Sequence, residues 1–306
     1  MRIIFCWLLL GFSATGLVAA DTFRVATYNV ENYLDAPSGT RRAKPEESKA
    51  KVRESIVGMK PDVLALQEIG QPSAFEELQR SLKQDGLSLP FAKMFEGYDT
   101  NVHVAILSRF PFVSVKEHTN ESFLLNGRRF RVSRGFGQVE IQPSTNYTFT
   151  LIVVHLKSKR QIGAADEAEL RFEEAKVLRE KIDAVFASNP DANLIILGDL
   201  NDSKSAGSTK EVIGKGKHKL VDTRPAERNG DTAHAMKRGS TTIERNVTWT
   251  QYYAAEDLYS RFDYILISPG MAREWVRSET YLPAVPDWGI ASDHRPLLAT
   301  FAGEDR

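Results

Sequence analysis

The sequence has almost no cysteine, since Cys6 is the only one among its 306 residues. A disulfide framework and a cysteine-based zinc site are therefore excluded. An excess of charge of one sign is also absent, because 40 Lys and Arg residues balance 40 Asp and Glu residues. The protein is therefore not a polybasic nucleic-acid coat, and any binding of phosphate must depend on a local cluster of charge.

Long hydrophobic runs are scarce, and the main one lies near the N-terminus. After Met1-Arg2, residues 3–12 are apolar, and small residues then lead to Val18-Ala19-Ala20. This run is shorter than the ~20 apolar residues that span a membrane. A positive start, an apolar stretch and small residues at its end are typical of a secretory signal peptide. We therefore predict a signal peptide at residues 1–20, cleaved after Ala20, and a secreted or periplasmic chain without stable membrane insertion.

The rest of the chain, residues 21–306, contains no internal repeat and no Pro- or Ser-rich linker. Short strand-like runs alternate with helical ones. The predicted strands are residues 23–30, 63–67, 102–107, 129–141, 148–155, 193–197 and 262–267, and the predicted helices are residues 45–59, 73–82 and 165–187. Residues 202–245, rich in Lys, Gly and Thr, are predicted to form a long surface excursion with one short helix. The pattern predicts a single α/β domain with two mixed sheets.

Two of the predicted helices carry specific side-chain patterns. Ser73 and Glu76 have the spacing of a capping box at the start of the second helix. In the third helix, the pairs Glu167–Arg171 and Lys176–Glu180 are predicted to lie on the solvent-exposed face.

Polar side chains occur where apolar strands stop, which is where α/β folds place their chemistry. Glu68 and His155 each close a predicted strand, and Asp263 interrupts an apolar run in which a carboxylate without a partner would be costly to bury. Each alone is ordinary, because a lone histidine is more often a hydrogen-bonded core residue than a catalyst. Together they indicate a catalytic site. Its candidate members are Asn29, Glu31, Glu68, His155, Asp199, Asn201, Asp263, Asp293 and His294.

These residues lie in short motifs that resemble those of one family and occur in the same order. The motifs are Thr27-Tyr-Asn-Val-Glu-Asn32, Leu66-Gln-Glu68, Val104-Ala-Ile-Leu-Ser108, Val153-Val-His-Leu-Lys157, Leu197-Gly-Asp-Leu-Asn-Asp202, Arg261-Phe-Asp-Tyr-Ile265 and Ser292-Asp-His-Arg-Pro296. The chain thus resembles the endonuclease/exonuclease/phosphatase superfamily, which includes deoxyribonuclease I, exonuclease III, sphingomyelinases and inositol-polyphosphate phosphatases. The resemblance implies a four-layer α/β sandwich, in which helices flank two packed mixed β-sheets. It also implies a hydrolase acting on phosphoric esters.

The resemblance implies a metal site and the residues that form it. Glu68 matches the chief metal ligand of the family, Asn29 and Glu31 lie beside it, and Asp293 matches a second acid on the metal side. Oxygen ligands of this kind suit Mg²⁺, and Mn²⁺ or Ca²⁺ could replace it. Zinc fits less well, because no cluster of histidines has close ligand spacing.

The resemblance also implies the catalytic residues. His155 matches the histidine that contacts the scissile phosphate, and Asp199 and Asn201 match the pair that orients the attacking water and the phosphate. Asp263 matches the carboxylate that orients His294. Protonated or hydrogen-bonding groups at these positions would neutralise the negative charge that develops in the transition state.

The sequence favours nucleic acid as the substrate. Lys157 and Lys159 follow His155 directly, where a phosphate backbone would pass, and we predict that both bind substrate. The run from His155 to Lys159 is also similar to secreted bacterial nuclease-like members of the superfamily. We therefore predict a monomeric nuclease that hydrolyses phosphodiester bonds in DNA or RNA.

Two other functions stay open. Tyr281, Trp288 and Ile290 precede Asp293 and His294, and Tyr252-Tyr253 is a further aromatic candidate. Such side chains could meet a membrane interface, as in a sphingomyelinase-like phospholipid phosphodiesterase, or stack on bases. A non-catalytic binding module with the same fold is the third hypothesis, and the complete set of site residues argues against it.

Overall fold

The computed structural model describes residues 22–228 and 246–306. The helices are α1 (Glu46–Met59), α2 (Pro72–Gln84), α3 (Glu167–Ser188), α4 (Gly207–Ile213) and α5 (Trp288–Ala291). The first eight strands are β1 (Thr22–Tyr33), β2 (Val63–Ile69), β3 (Phe91–Phe95), β4 (His103–Ser108), β5 (Phe112–His118), β6 (Ser122–Leu125), β7 (Arg128–Arg131) and β8 (Phe136–Ser144). The others are β9 (Tyr147–His155), β10 (Leu194–Asp199), β11 (Val221–Asp222), β12 (Gln251–Tyr253), β13 (Leu258–Ser260), β14 (Asp263–Ile267), β15 (Trp275–Tyr281) and β16 (Leu297–Ala302).

Twelve of these strands form two six-stranded mixed sheets. The first sheet has the order β15-β16-β1-β2-β4-β3 and the second has the order β11-β14-β10-β9-β8-β5. Each sheet has one parallel pair at its centre, β1 with β2 and β9 with β10. The remaining strands form two hairpins, β6-β7 and β12-β13.

Strand alternation explains why the two sheets pack against each other and against helices. In β1, Phe23 and Val25 belong to the apolar cluster between the sheets, whereas Ala26 and Tyr28 belong to a cluster with α1 and α2. The second sheet packs its other face against α3 and α4 in a third cluster. Because successive side chains in a strand point to opposite faces, one apolar strand can serve two layers. The predicted four-layer sandwich is confirmed.

The chain differs from the predicted elements at several points. The predicted strand at residues 129–141 is two strands, β7 and β8, because the segment between them includes Gly135 with φ +66°. The predicted leader at residues 1–20 and residues 229–245 of the predicted excursion lie outside the described residues, whereas the described part of the excursion contains α4. Among the helices of the described ranges, none is long and apolar enough to cross a membrane.

The expected side-chain patterns in two helices are wrong. Helix α2 begins at Pro72, with Gln71 before it, so Ser73 lies inside the first turn and does not cap it. Proline suits this first position because its missing N–H would have no partner there. Arg171 is buried rather than paired on the surface, and its Nε donates to Asp202 Oδ2 at 3.0 Å. Lys176 pairs with Glu173, at 2.8 Å, instead of Glu180.

Gly198 allows the second sheet to form next to the site residues. Its φ is +133°, and a Cβ there would lie 2.0 Å from the Val154 carbonyl oxygen. We expect Gly198→Ala to lower the free energy of unfolding by about 2–4 kcal/mol, because the new methyl group meets backbone that cannot move aside. Urea denaturation measures this loss.

Gly58 in α1 provides the matched control, since a Cβ there would meet nothing within 4 Å. Gly58→Ala should raise the free energy of unfolding by about 0.5–1 kcal/mol, because alanine has less freedom to lose in a helix. Similar changes in the two variants would contradict the close approach at Gly198.

Candidate active site

The central strands of both sheets bring polar residues to one common edge. His155 and Asp199 are register partners at the ends of β9 and β10, and Asp263 faces Asp199 from β14. Asn29 lies near the end of the pairing between β1 and β2. Its Nδ2 donates to Asp199 Oδ2 at 3.1 Å, which joins the two sheets directly. The site therefore lies where the sheets meet, between the carboxyl ends of their parallel strands.

Glu68 reaches the site through an irregularity in β2. Its φ is +65°, and the register of β2 with both neighbouring strands shifts around it. One carboxylate oxygen accepts a hydrogen bond from the Asn32 backbone N–H at 3.0 Å, and the other lies 3.9 Å from His155 Nε2. Left-handed backbone at residues other than glycine is uncommon and concentrates at functional sites. The strand thus bends at Glu68, and the carboxylate reaches the shared edge.

Asp199 is the centre of the hydrogen-bond network. It is 1% exposed, and besides Asn29 it accepts bonds from the Asn201 backbone N–H at 2.7 Å and from Asn201 Nδ2 at 3.1 Å. The imidazoles of His155 and His294 lie 3.4 Å and 3.8 Å from its Oδ2. Burial raises the pKa of Asp199 to about 7, and the neighbouring histidine and the donated hydrogen bonds only partly oppose that rise.

Asp263 and His294, which are far apart in sequence, form a buried pair. The distance from His294 Nδ1 to Asp263 Oδ2 is 2.7 Å. The Asp263 backbone N–H donates to Thr250 Oγ1 at 3.1 Å, which fixes this end of β14. Burial alone lowers the pKa of His294, but the carboxylates of Asp263 and Asp199 outweigh it and hold the pKa well above its usual value. The two carboxylates therefore favour the protonated form of His294.

The pKa of His155 is shifted in the opposite direction to that of His294. It is 1% exposed, and burial lowers its pKa well below the usual value, with further lowering by the positive charges of Arg134 and His294. Its Nδ1 has no hydrogen-bond partner among the described residues, so the proton is assigned to Nε2, which faces Asp199. The two histidines that flank Asp199 thus have pKa values shifted in opposite directions, an arrangement that separates acid and base roles.

The other two acids lie together at the rim. The Asp293 backbone N–H donates to Glu31 Oε2 at 3.1 Å, and Gln251 Nε2 lies 3.4 Å from Asp293 Oδ2. Burial raises the pKa of Glu31, and Asp293 raises it further. Lys44 donates to the Glu31 carbonyl oxygen at 2.9 Å. The predicted metal-side acids are therefore neighbours, and a cation close to them would reduce their mutual repulsion.

The two lysines predicted to bind substrate differ in position. Lys157 is buried, and its Nζ donates to the carbonyl oxygens of Ser158 and Arg160, each at 2.9 Å. The Lys159 side chain is 51% exposed, and its Nζ lies 3.7 Å from Asp202 Oδ1. Both roles stay predictions, but the geometry favours Lys159, because Lys157 stabilises its own loop.

Two arginines that sequence reasoning did not place at the site lie beside it. Arg134 Nη1 donates to the Leu156 carbonyl oxygen at 3.1 Å, next to His155, and Arg41 Nε donates to Asn32 Oδ1 at 2.6 Å. Asp99 lies between them, 3.8 Å from Arg134 Nε and 3.5 Å from Arg41 Nη2. Two guanidinium groups share one carboxylate, which leaves a net positive charge. In the sequence, Arg41 is part of an ordinary basic run, and Arg134 lies in an irregular segment without a motif.

Three of the buried groups are close enough to hold a metal ion. Ligand atoms of Asp199, Asp263 and His294 all lie within 4.8 Å of one another. Asp263 Oδ1 is buried without a hydrogen-bond partner among the residues that the structure describes. These residues are a candidate metal site, in addition to the acids around Glu68.

The fold and the site are those of a hydrolase acting on phosphoric ester bonds. The chain belongs to the Endonuclease/Exonuclease/phosphatase family, whose model matches residues 26–294. No curated protein is similar enough in sequence to count as a relative of this chain.

Solved structures show the same fold at low sequence identity. The catalytic domain of human Nocturnin matches with a TM-score of 0.63 and 19% identity, over 92% of this chain and 94% of that chain. Truncated TDP2 from Caenorhabditis elegans matches with a TM-score of 0.59 and 18% identity, over 92% and 97%. Beta toxin from Staphylococcus aureus has a TM-score of 0.59 and 18% identity, over 90% and 99%. Identities this low establish the fold and leave the substrate open.

The pairing of Asp263 with His294 predicts a pH dependence. The pKa of His294 is higher in the folded state than in the unfolded state, where it is about 6.5, so the pair stabilises the folded state. This stabilisation is complete at a pH below the unfolded-state pKa. It is lost as the pH rises through the folded-state pKa. Asp263→Asn removes the main attractive charge, so the alkaline decline in melting temperature and in hydrolysis of bis(p-nitrophenyl) phosphate should move to lower pH. Turnover should fall by orders of magnitude.

Asp62→Asn is the matched control, because Asp62 is a partly buried carboxylate paired with Arg109 at 3.1 Å and lies just before β2, away from the site. It should lower stability without moving the alkaline limb. An unshifted profile with near-normal turnover in Asp263→Asn would reject the paired role of the two residues.

Proposed function

We propose that this hydrolase is a secreted or periplasmic, monomeric nuclease that cleaves phosphodiester bonds in DNA or RNA and depends on Mg²⁺. The observation that carries the chemistry is the buried Asp199, whose Oδ2 lies 3.4 Å from the imidazole of His155 and 3.8 Å from that of His294 at the edge where both sheets meet. The observation that favours nucleic acid is the positive charge of Arg41 and Arg134 next to that edge.

The residues around Glu68 fit a hard divalent cation better than the buried trio does. Glu68, Glu31 and Asp293 contribute carboxylate oxygens and Asn29 an amide oxygen, which are ligands that Mg²⁺ prefers. One Glu68 oxygen is 3.9 Å from His155 Nε2, beyond hydrogen-bond distance, and is free to bind a metal. We therefore propose that Glu68, Asn29, Glu31 and Asp293 hold the ion, with Mn²⁺ or Ca²⁺ as possible substitutes. When bound, the ion would neutralise charge on the phosphate.

The buried trio is less suited to the ion. His294 Nδ1 and Asp263 Oδ2 already share a 2.7 Å hydrogen bond, and a protonated imidazole has no lone pair for a metal. Asp199 Oδ2 accepts hydrogen bonds from Asn29 and Asn201. A metal there would have to break these bonds and expel a proton from His294.

The residues of the chain have separate roles in the proposed hydrolysis. Asp199, with a pKa near neutrality, accepts the proton of the attacking water, and Asn29 and Asn201 hold its carboxylate in place. His294, kept protonated by Asp263, and His155, through its Nε2 proton, donate hydrogen bonds to non-bridging phosphate oxygens. Charge-assisted donors of this kind stabilise the transition state more than the ground state.

A phospholipid phosphodiesterase is the second candidate function. It is favoured by exposed apolar and aromatic side chains close to the site, of which Tyr253 is 50%, Leu258 50%, Tyr259 58% and Ile290 41% exposed. Exposed residues of this type are also suited to a membrane interface.

Substitution of Glu68 tests where the metal binds. We expect Glu68→Gln, which keeps the side-chain shape, to abolish hydrolysis and to weaken Mn²⁺ binding by at least about 100-fold, since it replaces a charged ligand. Calorimetric titration with Mn²⁺ measures this, together with the rise in melting temperature that the ion causes. EDTA-treated wild type should also be inactive.

Asp263→Asn separates the two candidate metal sites. It should retain the Mn²⁺ affinity of the wild type while it loses turnover. The opposite result, with lost affinity in Asp263→Asn and retained affinity in Glu68→Gln, would place the ion at Asp199, Asp263 and His294. Full activity in Glu68→Gln would reject the metal proposal around it.

A substrate panel tests the nuclease proposal. With Mg²⁺, we expect cleavage of plasmid DNA or RNA and none of sphingomyelin vesicles, inositol phosphates or a phosphomonoester. Arg41→Ala and Lys159→Ala should each lower the slope of log affinity against log salt by about 0.7–0.9, because one fewer counterion is released on binding. Lys60→Ala, an exposed lysine just before β2, should leave the slope unchanged. Cleavage of lipid alone would favour the second candidate.

A further inference from the structure

A cleft adjoins the site on the side of the predicted metal acids. Its volume is about 590 Å³. The residues that line it include the acids Glu31 and Asp293, the rings of Tyr252 and Trp288, and Ile290. Because the cleft shares two residues with the candidate active site, a group bound in it would be continuous with a phosphate at that site.

Four aromatic rings in mutual contact adjoin this cleft, and we call them the aromatic shelf: Tyr252 and Trp288 line the cleft, and Tyr259 and Trp249 contact them. Tyr252 and Tyr259 are stacked with centroids 4.7 Å apart, and Trp249 contacts Tyr259 at 4.8 Å and Trp288 at 5.0 Å. Such close ring contacts fix the orientation of each ring. The shelf is therefore a set of rings held in fixed orientations, in which Tyr252 and Tyr259 are inclined by only 29° and Trp249 meets Tyr259 and Trp288 at 63° and 64°.

Backbone hydrogen bonds attach the shelf to the segment that carries His294. The Tyr252 backbone N–H donates to the Asp293 carbonyl oxygen at 2.9 Å, and the Arg295 N–H donates to the Thr250 carbonyl oxygen at 2.7 Å. Gln251 also forms a β-bridge with His294. The β12-β13 hairpin thus pairs with the segment that carries His294, and the distance from the shelf to the site is fixed by backbone bonds.

We propose that the aromatic shelf is a subsite that stacks a nucleobase of the nucleotide next to the cleaved phosphate. This inference rests on the proposed nuclease function and names how that site holds its substrate. Tyr252 and Trp288 are partly exposed in the cleft, and flat aromatic faces stack on any base without reading its sequence. Asp293 and Glu31 lie at the end of the shelf where the sugar and phosphate of that nucleotide would continue.

The shape of the shelf favours a flat group over a compact cation. Tyr252 and Trp288 meet edge to face, with an interplanar angle of 88° and centroids 6.2 Å apart, so they contact each other and enclose no space for an ammonium group. A cation is bound best when it lies over open ring faces that surround it. Both side chains line the cleft and are partly exposed, so ring surface of each is accessible to a base.

The chemistry of the hairpin turn argues against insertion into a membrane. The turn between β12 and β13 carries Glu256 and Asp257, both exposed, and Asp257 accepts a hydrogen bond from the Tyr252 hydroxyl at 2.7 Å. Carboxylates at the tip would have to leave water for the apolar residues to enter a bilayer, which is costly.

Adjacent tyrosines on β12 provide a matched test. Tyr252 lines the cleft, whereas Tyr253 points to the other face of the hairpin. We expect Tyr252→Leu to raise KM for thymidylyl-thymidine about tenfold with little change in kcat, and to leave KM unchanged for the same compound lacking one base. Tyr252→Phe, which keeps the ring, and Tyr253→Leu should behave like the wild type. Equal effects on both substrates, or on neither, would overturn the proposal.

A binding measurement without turnover separates this proposal from the nuclease function. Trp249 and Trp288 lie in the shelf, so with Mg²⁺ the tryptophan fluorescence should be quenched by thymidine 5′-monophosphate, a phosphomonoester that is not expected to be cleaved, with about tenfold weaker binding in Tyr252→Leu. If the wild type cleaves no nucleic acid but this quenching occurs, the nuclease proposal fails and the base subsite stands. Quenching by choline phosphate and not by the nucleotide would overturn the subsite.

Discussion

The hydrogen bond from Asn29 to Asp199 is the contact on which the site depends. It runs from the first sheet to the second at the edge where both parallel pairs end, and both residues are buried. A buried carboxylate is costly unless its lone pairs are satisfied, so Asp199 requires donors from its surroundings. Asn29 supplies one from the opposite sheet and Asn201 supplies two from the following turn. The packing of the two sheets thus fixes the carboxylate, and the carboxylate in turn fixes the spacing of the sheets at this edge.

Local backbone strain is concentrated around the same edge. Glu31, Asn32, Glu68 and Asn201 all have positive φ, between 43° and 65°. Conformations of this kind cost of order 1–3 kcal/mol each and persist only where the surrounding structure imposes them. Here the surroundings are two rigid sheets with apolar clusters on both faces. Stability from the core therefore allows the site residues to take positions that regular strands would not give them.

Much of this arrangement could be predicted from the sequence, because it is carried by short motifs at strand ends. Alternating apolar residues showed where β1, β9 and β10 lie, and Asp263 in an apolar run indicated a buried partner, which is His294. The position of Arg134 could not be predicted, since its contact with the Leu156 carbonyl oxygen joins two irregular segments and follows no period. The spacing of Arg171 in α3 predicts a position at the surface. Arg171 is instead buried, because it donates a hydrogen bond to Asp202, which lies in the segment after β10.

The chain has no net charge, yet it can bind an anionic substrate because charged side chains are clustered locally around the site. The acids Glu68, Glu31 and Asp293 gather near Asp199, where a divalent cation would reverse their sign. Beside the same edge, Arg41 and Arg134 exceed the single charge of Asp99, and Arg41 shares the neighbour Asn32 with Glu68. His294 adds a further positive charge at the centre. A phosphodiester would thus meet mainly positive groups once the cation is bound, whereas the acids of the metal-free site would repel it. Binding of substrate and binding of metal are therefore coupled through electrostatics, even though the whole chain is neutral.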